Sequence, residues 1–266
     1  IMRSANNGIS AVINPVGIVE NEVKFGSTGN ISFFESKLTK PTPFLIYGNK
    51  IFFFIIIFLI FPNLDIYISE FFFVEEKFIS EKYTLIKVLR TFLKNTMIIF
   101  PILSVFFLIL IKINKNKSIF SIKKNNYRRN ILFLFGLIIG PIVGSGRIAN
   151  LYFKDNWGRA RPVHIEEFNG DKIYTPPFFK SDQCEKNCSW IGGETSAAFS
   201  FIVGFIILKN PYVLIKINIV FGLMVTFCRM AMGGHFFSDN LFAAIFMIYL
   251  ALIYRKIAIY LIKKIS

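Results

Sequence analysis

Long apolar runs separated by short basic segments constrain this chain more than any other feature. Runs rich in Phe, Ile and Leu occupy about 44–61, 96–113, 131–153, 196–208, 212–227 and 238–254. Several are near the lower limit of what a helix needs to cross the hydrocarbon layer of a bilayer. The chain has 266 residues, of which 54% are hydrophobic and only 18% charged, and its mean hydropathy is +0.54. A soluble core cannot hide that much apolar surface, whereas lipid accepts it. The pattern predicts an all-α, polytopic membrane protein: one six-helix domain over 44–254, an N-terminal arm over 1–43 and a short tail over 255–266. The 33 Phe residues accompany many Ile, Lys and Asn, so their number is no guide to function.

The formal net charge of +15 raises nucleic acid as a partner. The position of the charge argues against it, because Lys and Arg lie between the apolar runs, as in the cytoplasmic loops of membrane proteins. Residues 112–129 hold seven basic and no acidic residues, which places that loop inside. Six crossings then put both termini in the cytoplasm and the loops 63–95, 154–195 and 228–237 on the periplasmic side of an inner membrane. The first of these loops, with five acidic and five basic residues over 65–95, reads as a loop with an interfacial helix. Residues 2–40 lack a secretory-signal pattern and read as an amphipathic or loosely ordered arm. Gly136, Gly140, Gly144 and Gly146 suggest close helix packing in the third run.

The loops assigned to the outer side carry the unusual residues. Lys154-Asp155-Asn156-Trp157-Gly158-Arg159-Ala160-Arg161-Pro162 ends the third run, and Cys188-Ser189-Trp190-Ile191-Gly192-Gly193-Glu194 precedes the fourth. Cys228-Arg229 and Gly233-Gly234-His235-Phe236-Phe237-Ser238-Asp239 lie between the fifth and sixth. Lys154, Arg161 and Arg229 would then converge near His235, a combination suited to phosphate oxygens. Gly192 and Gly193 at a helix start would leave backbone N–H groups to cradle an oxyanion. His235 and Asp239, four apart, would share a helix face, the carboxylate orienting one ring nitrogen and leaving the other to attack phosphorus. Taken singly these residues are bland: Lys154 reads as a snorkelling lysine and Arg159 as a surface charge. Their joint spacing favours a site, because ionisable groups at membrane depth are costly. His164 would line or rim it. The two histidines lack the company a zinc site needs, so no metal and no cofactor are expected. Cys184 and Cys188 form either a disulfide or two free thiols.

The three clusters resemble the signature of the type-2 phosphatidic acid phosphatase and haloperoxidase superfamily. Lys154, six residues, Arg161-Pro162 matches its first part, and Arg229, five residues, His235, three residues, Asp239 matches its third. The local sequence looks especially like bacterial membrane members, including lipid A phosphatase-like ones. The resemblance implies a phosphohistidine mechanism in which His235 attacks, Asp239 orients it, and Lys154, Arg161 and Arg229 hold the non-bridging oxygens. Arg159, His164, Gly192 and Gly193 would contribute to substrate binding. The implied partners are a membrane lipid phosphate and the bilayer, with no obligate protein partner. The second part departs from the pattern: Ile191-Gly192-Gly193-Glu194 replaces Pro-Ser-Gly-His, putting Glu194 where the family's leaving-group acid stands. Cys228 replaces a Ser. A lipid phosphotransferase on the same site and a non-catalytic anionic-lipid binder are the alternative readings. Lipid A, undecaprenyl diphosphate, phosphatidic acid and phosphatidylglycerol phosphate all remain open as substrates.

Overall fold

A computed structural model describes residues 2–3, 9–13, 19–24, 26–27, 29, 53–113 and 124–264. It divides into two units, Ile1–Phe54 and Ile55–Ser266. The first contains a three-stranded antiparallel sheet, β1 (Met2–Arg3), β2 (Ser10–Ile13) and β3 (Val19–Val23), in the order β1-β2-β3. Met2 pairs with Val12 and Ser10 with Val23. This sheet stands where the sequence suggested an amphipathic or loosely ordered arm. Short strands joined by Asn- and Gly-containing connections give little periodicity to read.

The second unit is helical. Helices α1 (Phe53–Ile60) and α2 (Leu64–Glu70) meet at an 84° bend. A small hairpin, β4 (Phe73–Val74) with β5 (Lys77–Phe78), and the short α3 (Ile79–Lys82) lead into α4 (Thr84–Ile113). Residues 84–95, expected within a loop, are therefore the first turns of a 30-residue helix. The physical reason is an apolar seam, Ile86, Leu93 and Met97, that is buried against the bundle and runs on past the charged Lys87, Arg90 and Lys94. The other faces of α4, including Ile98, Ile102, Leu103, Phe106 and Phe107, are exposed apolar surface of the kind that lipid covers.

Helix α5 (Lys124–Ile139) continues as a π-helical stretch, Gly140–Lys154, and brings Lys154 to its end. After a long polar loop come α6 (Gly193–Phe199), α7 (Ile202–Phe205), α8 (Tyr212–Ala231) and α9 (Phe237–Lys264). Among the described residues four helices are long and apolar enough to cross a membrane: Thr84–Ile113, Tyr127–Lys154, Tyr212–Ala231 and Phe237–Ile262. The number rises to five if α1 and α2 form one bent span, so six continuous spans are not present among the described residues. The first expected run lies partly outside the described residues, since 44–52 are not among them, nor are 114–123 of the basic loop.

The fourth expected run, 196–208, is broken. Ser200 Oγ donates to the Ala197 carbonyl at 2.7 Å, and the amides of Val203 and Gly204 turn back to Ser200 and Phe201. Those bonds tighten the backbone into three-residue turns and split the helix. Close packing explains why the broken segment stays in the bundle. A Cβ on Gly136 would meet the Gly204 Cα at 2.7 Å, and one on Gly140 would strike the Ser200 carbonyl. Gly136 and Gly140 therefore act as the sequence suggested, by close approach of two backbones, whereas Gly146 meets only its own helix.

Candidate active site

The site forms where α5's π-helical end, the start of α6 and the α8–α9 turn meet. Gly158, with φ at +70°, turns the chain out of the helix ending at Lys154, and a Cβ there would strike the Ser181 carbonyl. This turn sends Arg159 inward and Arg161 back toward Lys154. Val163 N donates to the Gly233 carbonyl at 3.0 Å, and Cys188 N to the Lys154 carbonyl at 3.2 Å. Three segments far apart in sequence are thus sewn together by their backbones. Cys184 and Cys188 are joined by a disulfide, with Cα atoms 5.7 Å apart, in the loop that carries Asn187.

His235 is 1% exposed, in the turn just before α9. Asp239, in the first turn of α9, folds back so that Oδ2 accepts from the Phe236 amide at 2.8 Å. The same oxygen accepts from Ser189 Oγ at 2.5 Å and lies 3.7 Å from His235 Nδ1. Ser189 Oγ itself is 3.5 Å from Nδ1. Because the serine proton goes to Asp239, both oxygens near Nδ1 are acceptors, and the proton of a neutral ring belongs there. Nε2 then carries the free lone pair, and it has no hydrogen-bond partner among the described residues. Burial, reinforced by the charges of Lys154 and Arg229, outweighs Asp239 and holds the imidazole down at about 3, so the ring is neutral.

Behind this pair lies a fully buried ionic network. Arg159 donates to Asp239 Oδ1 at 2.6 Å, to Ser238 Oγ at 3.0 Å, to Asp65 Oδ2 at 2.7 Å and to the Thr175 carbonyl at 2.8 Å. Its guanidinium also lies 4.3 Å from the centre of the Phe236 ring. Asp65, on α2, completes the set by accepting from the amide and hydroxyl of Ser238. Burial alone would lower the Arg159 pKa, but Asp239 and Asp65 raise it above the ordinary arginine value. Arg159 was expected as a surface or substrate-binding cation. Every arm of its fork is instead occupied inside the protein, and it is 0% exposed.

The opposite side of His235 holds the cations. Lys154 Nζ reaches Asn187 Oδ1 at 3.3 Å, and Arg161 Nη2 donates to the Asn187 carbonyl at 2.7 Å, so the two converge on one residue. A Cβ on Gly193 would come 3.1 Å from Lys154 Nζ, which makes the glycine an opening beside the ammonium group. Arg229 packs under Gly234, where any side chain would collide with its guanidinium, and its buried Nε has no partner among the described residues. Such a cluster of donors is suited to a tetrahedral oxyanion.

Two expectations change here. Gly192 N donates to the Asp239 carbonyl at 3.0 Å and is not available to an anion, while the Gly193 amide has no partner among the described residues. Glu194 is held by Arg90 of α4, with Nε–Oε2 at 3.0 Å and Nη2–Oε1 at 2.5 Å, and lies 3.8 Å from Arg229. Burial favours its protonation, but Arg90 and Arg229 outweigh it and hold the carboxyl below its usual range. His164 is exposed in the Pro162–His164 turn and makes none of the hydrogen bonds above. Sequence reasoning missed Asp65, Arg90, Asn187 and Ser189 as members of the site. Asp65 had one signal, an acid directly after the Pro62-Asn63 break; Arg90 was one of five basic residues in a mixed stretch and had none.

Residues 131–263, half the chain, match the family model described as the PAP2 superfamily. The chain is 40% identical over 212 residues to a lipid A 4'-phosphatase of Francisella tularensis subsp. novicida, covering 76% of this chain and 91% of that protein. It is 30% identical over 108 residues to a lipid A 4'-phosphatase of Rhizobium etli, covering 40% of each. No solved structure matches.

Proposed function

Because this chain belongs to the PAP2 superfamily, a family of membrane-associated, lipid-phosphatase-like helical proteins, we propose that it removes phosphate from a lipid phosphate through a phosphohistidine on His235. The observation that carries this reading is the state of the ring: Nε2 buried and without a partner among the described residues, Nδ1 facing Ser189 and Asp239. Lys154, Arg161, Arg229 and the Gly193 amide bind the non-bridging oxygens and lower the cost of charge in the transition state. The Nε2 lone pair attacks phosphorus, and the bond to the lipid oxygen breaks with its electron pair. That oxygen takes a proton from water, because Glu194 is ionised in its pair with Arg90 and does not serve as the acid. Asp239 offsets the positive charge on the imidazolium. Water then attacks phosphorus, the N–P bond returns its electrons to Nε2, and inorganic phosphate leaves.

The first candidate substrate is the 4'-phosphate of lipid A, since a relative of which this chain covers 91% bears that name. The active site faces the periplasm with both termini cytoplasmic. The basic residues of 112–129 and the C-terminal Arg255, Lys256, Lys263 and Lys264 support this orientation. The broken segment 196–208 serves as a crossing, which allows Arg229 to return to the level of Lys154. The disulfide Cys184–Cys188 fits that oxidising compartment.

The test is phosphate release by the purified protein from a panel of lipid A, undecaprenyl diphosphate, phosphatidic acid and phosphatidylglycerol phosphate. Wild type should release phosphate, and His235→Ala should not. Release from none of them, or full activity of His235→Ala, overturns the assignment. Thiol labelling of residues 164–186 from the cytoplasmic side would overturn the orientation.

A further inference from the structure

The Arg90–Glu194 pair takes no part in the steps above. It bridges α4 and the start of α6, 104 positions apart, with both side chains partly exposed at 28% and 23%. Two parallel bonds of 3.0 and 2.5 Å fix the plane of the carboxylate. Glu194 follows Gly193, the opening beside Lys154, and its Oε1 lies 3.8 Å from Arg229. A phosphoryl group held by Lys154 and Arg229 therefore has this carboxylate at its edge. Arg159, Asp65 and Asp239 are fully buried and spent on one another, whereas the Arg90–Glu194 pair is partly exposed and open to a leaving group.

An ionised carboxylate accepts hydrogen bonds and donates none. It has about four lone-pair directions, of which the Arg90 fork uses two. Arg90 also offsets its charge, so the carboxylate can stand near a phosphate without expelling it. What satisfies the remaining directions is a donor, such as a hydroxyl or amide N–H of a sugar. A diacylglycerol leaving group brings no such donor, and the second phosphate of a diphosphate brings further negative charge.

We propose that Glu194, fixed by Arg90, is a specificity-determining residue that reads a hydrogen-bond donor on the leaving group, selecting sugar-linked lipid phosphates over phosphatidic acid and lipid diphosphates. The inference rests on the phosphatase reading of His235. Arg90 acts through Glu194 and is a positioning residue.

The experiment measures kcat/KM for wild type, Glu194→Ala, Glu194→Gln and Arg90→Lys in matched micelles. The probes are lipid A, phosphatidic acid and undecaprenyl diphosphate. A hydrogen bond to a charged acceptor is worth about 1.5–3 kcal/mol, so the ratio of lipid A to phosphatidic acid should fall about tenfold or more in Glu194→Ala. Glu194→Gln, close in shape and keeping one acceptor oxygen, should retain part of the ratio. Arg90→Lys, which keeps the charge but loses the fork, should also fall between wild type and Glu194→Ala. If Glu194→Ala does not fold, the Gln and Lys variants read the same ratio. Wild-type turnover with the ratio unchanged in the variants, or an equal loss on all three probes, overturns this inference alone. No turnover of any probe by wild type overturns the phosphatase reading and this inference with it.

Discussion

Two arginine–carboxylate clusters flank His235, and they differ in almost every physical respect. Arg159 with Asp65 and Asp239 is 0% exposed, and its fork is spent on acceptors of Asp65, Asp239, Ser238, Tyr174 and the Thr175 carbonyl. Arg90 with Glu194 is about a quarter exposed and leaves acceptor capacity free. A buried ion pair contributes little net stability, but removing one partner strands a charge in a low-dielectric interior. A partly exposed pair is screened and can exchange partners with a ligand. The first cluster is suited to holding a nucleophile still, and the second to meeting something variable.

The largest expected effect tests the residue between them. His235→Ala should lower phosphate release by about three orders of magnitude or more, read as kcat, because it removes the attacking atom. Arg159→Ala comes next: it leaves Asp65 and Asp239 buried and unpaired, at a cost of about 3–5 kcal/mol, visible as a large drop in thermal midpoint in detergent. Arg90→Ala should cost about 1 kcal/mol or less in the same measurement. Equal destabilisation by the two arginine variants would break the contrast between the clusters. The smallest effect is a slope. The unfolded His235 binds a proton below its ordinary value near 6.5, whereas the folded ring does so only near 3. Between those values the unfolded state holds more protons, so stability rises with pH and is lost as pH falls. The thermal midpoint of wild type should therefore fall faster below pH 6.5 than that of His235→Asn. Parallel curves would show that burial does not suppress protonation of the ring.

The sequence by itself determined the largely helical, membrane-associated build of the molecule and singled out residues that the structure gathers around His235. Apolar runs too long for a soluble core require lipid, and the short spacing from His235 to Asp239 keeps the carboxylate, in the first turn of α9, within reach of the turn that carries the histidine. Lys154 and Arg229 were legible at the ends of apolar runs, and Arg161 through its fixed spacing from Lys154. Tertiary structure alone decided the partners that come from elsewhere in the chain. Arg159 reads as a surface charge until α2 brings in Asp65 from 94 positions away. Glu194 stands at the family's acid position with cations expected nearby, but its fixed partner, Arg90, comes only with α4. The broken segment 196–208 was illegible for a related reason, since its apolar composition suits a continuous helix and only side-chain competition at Ser200 and close contact with Gly136 and Gly140 interrupt it. Local spacing specifies which side chains share a face. Which charge neutralises which depends on the packing of distant helices, and no periodicity in the chain records it.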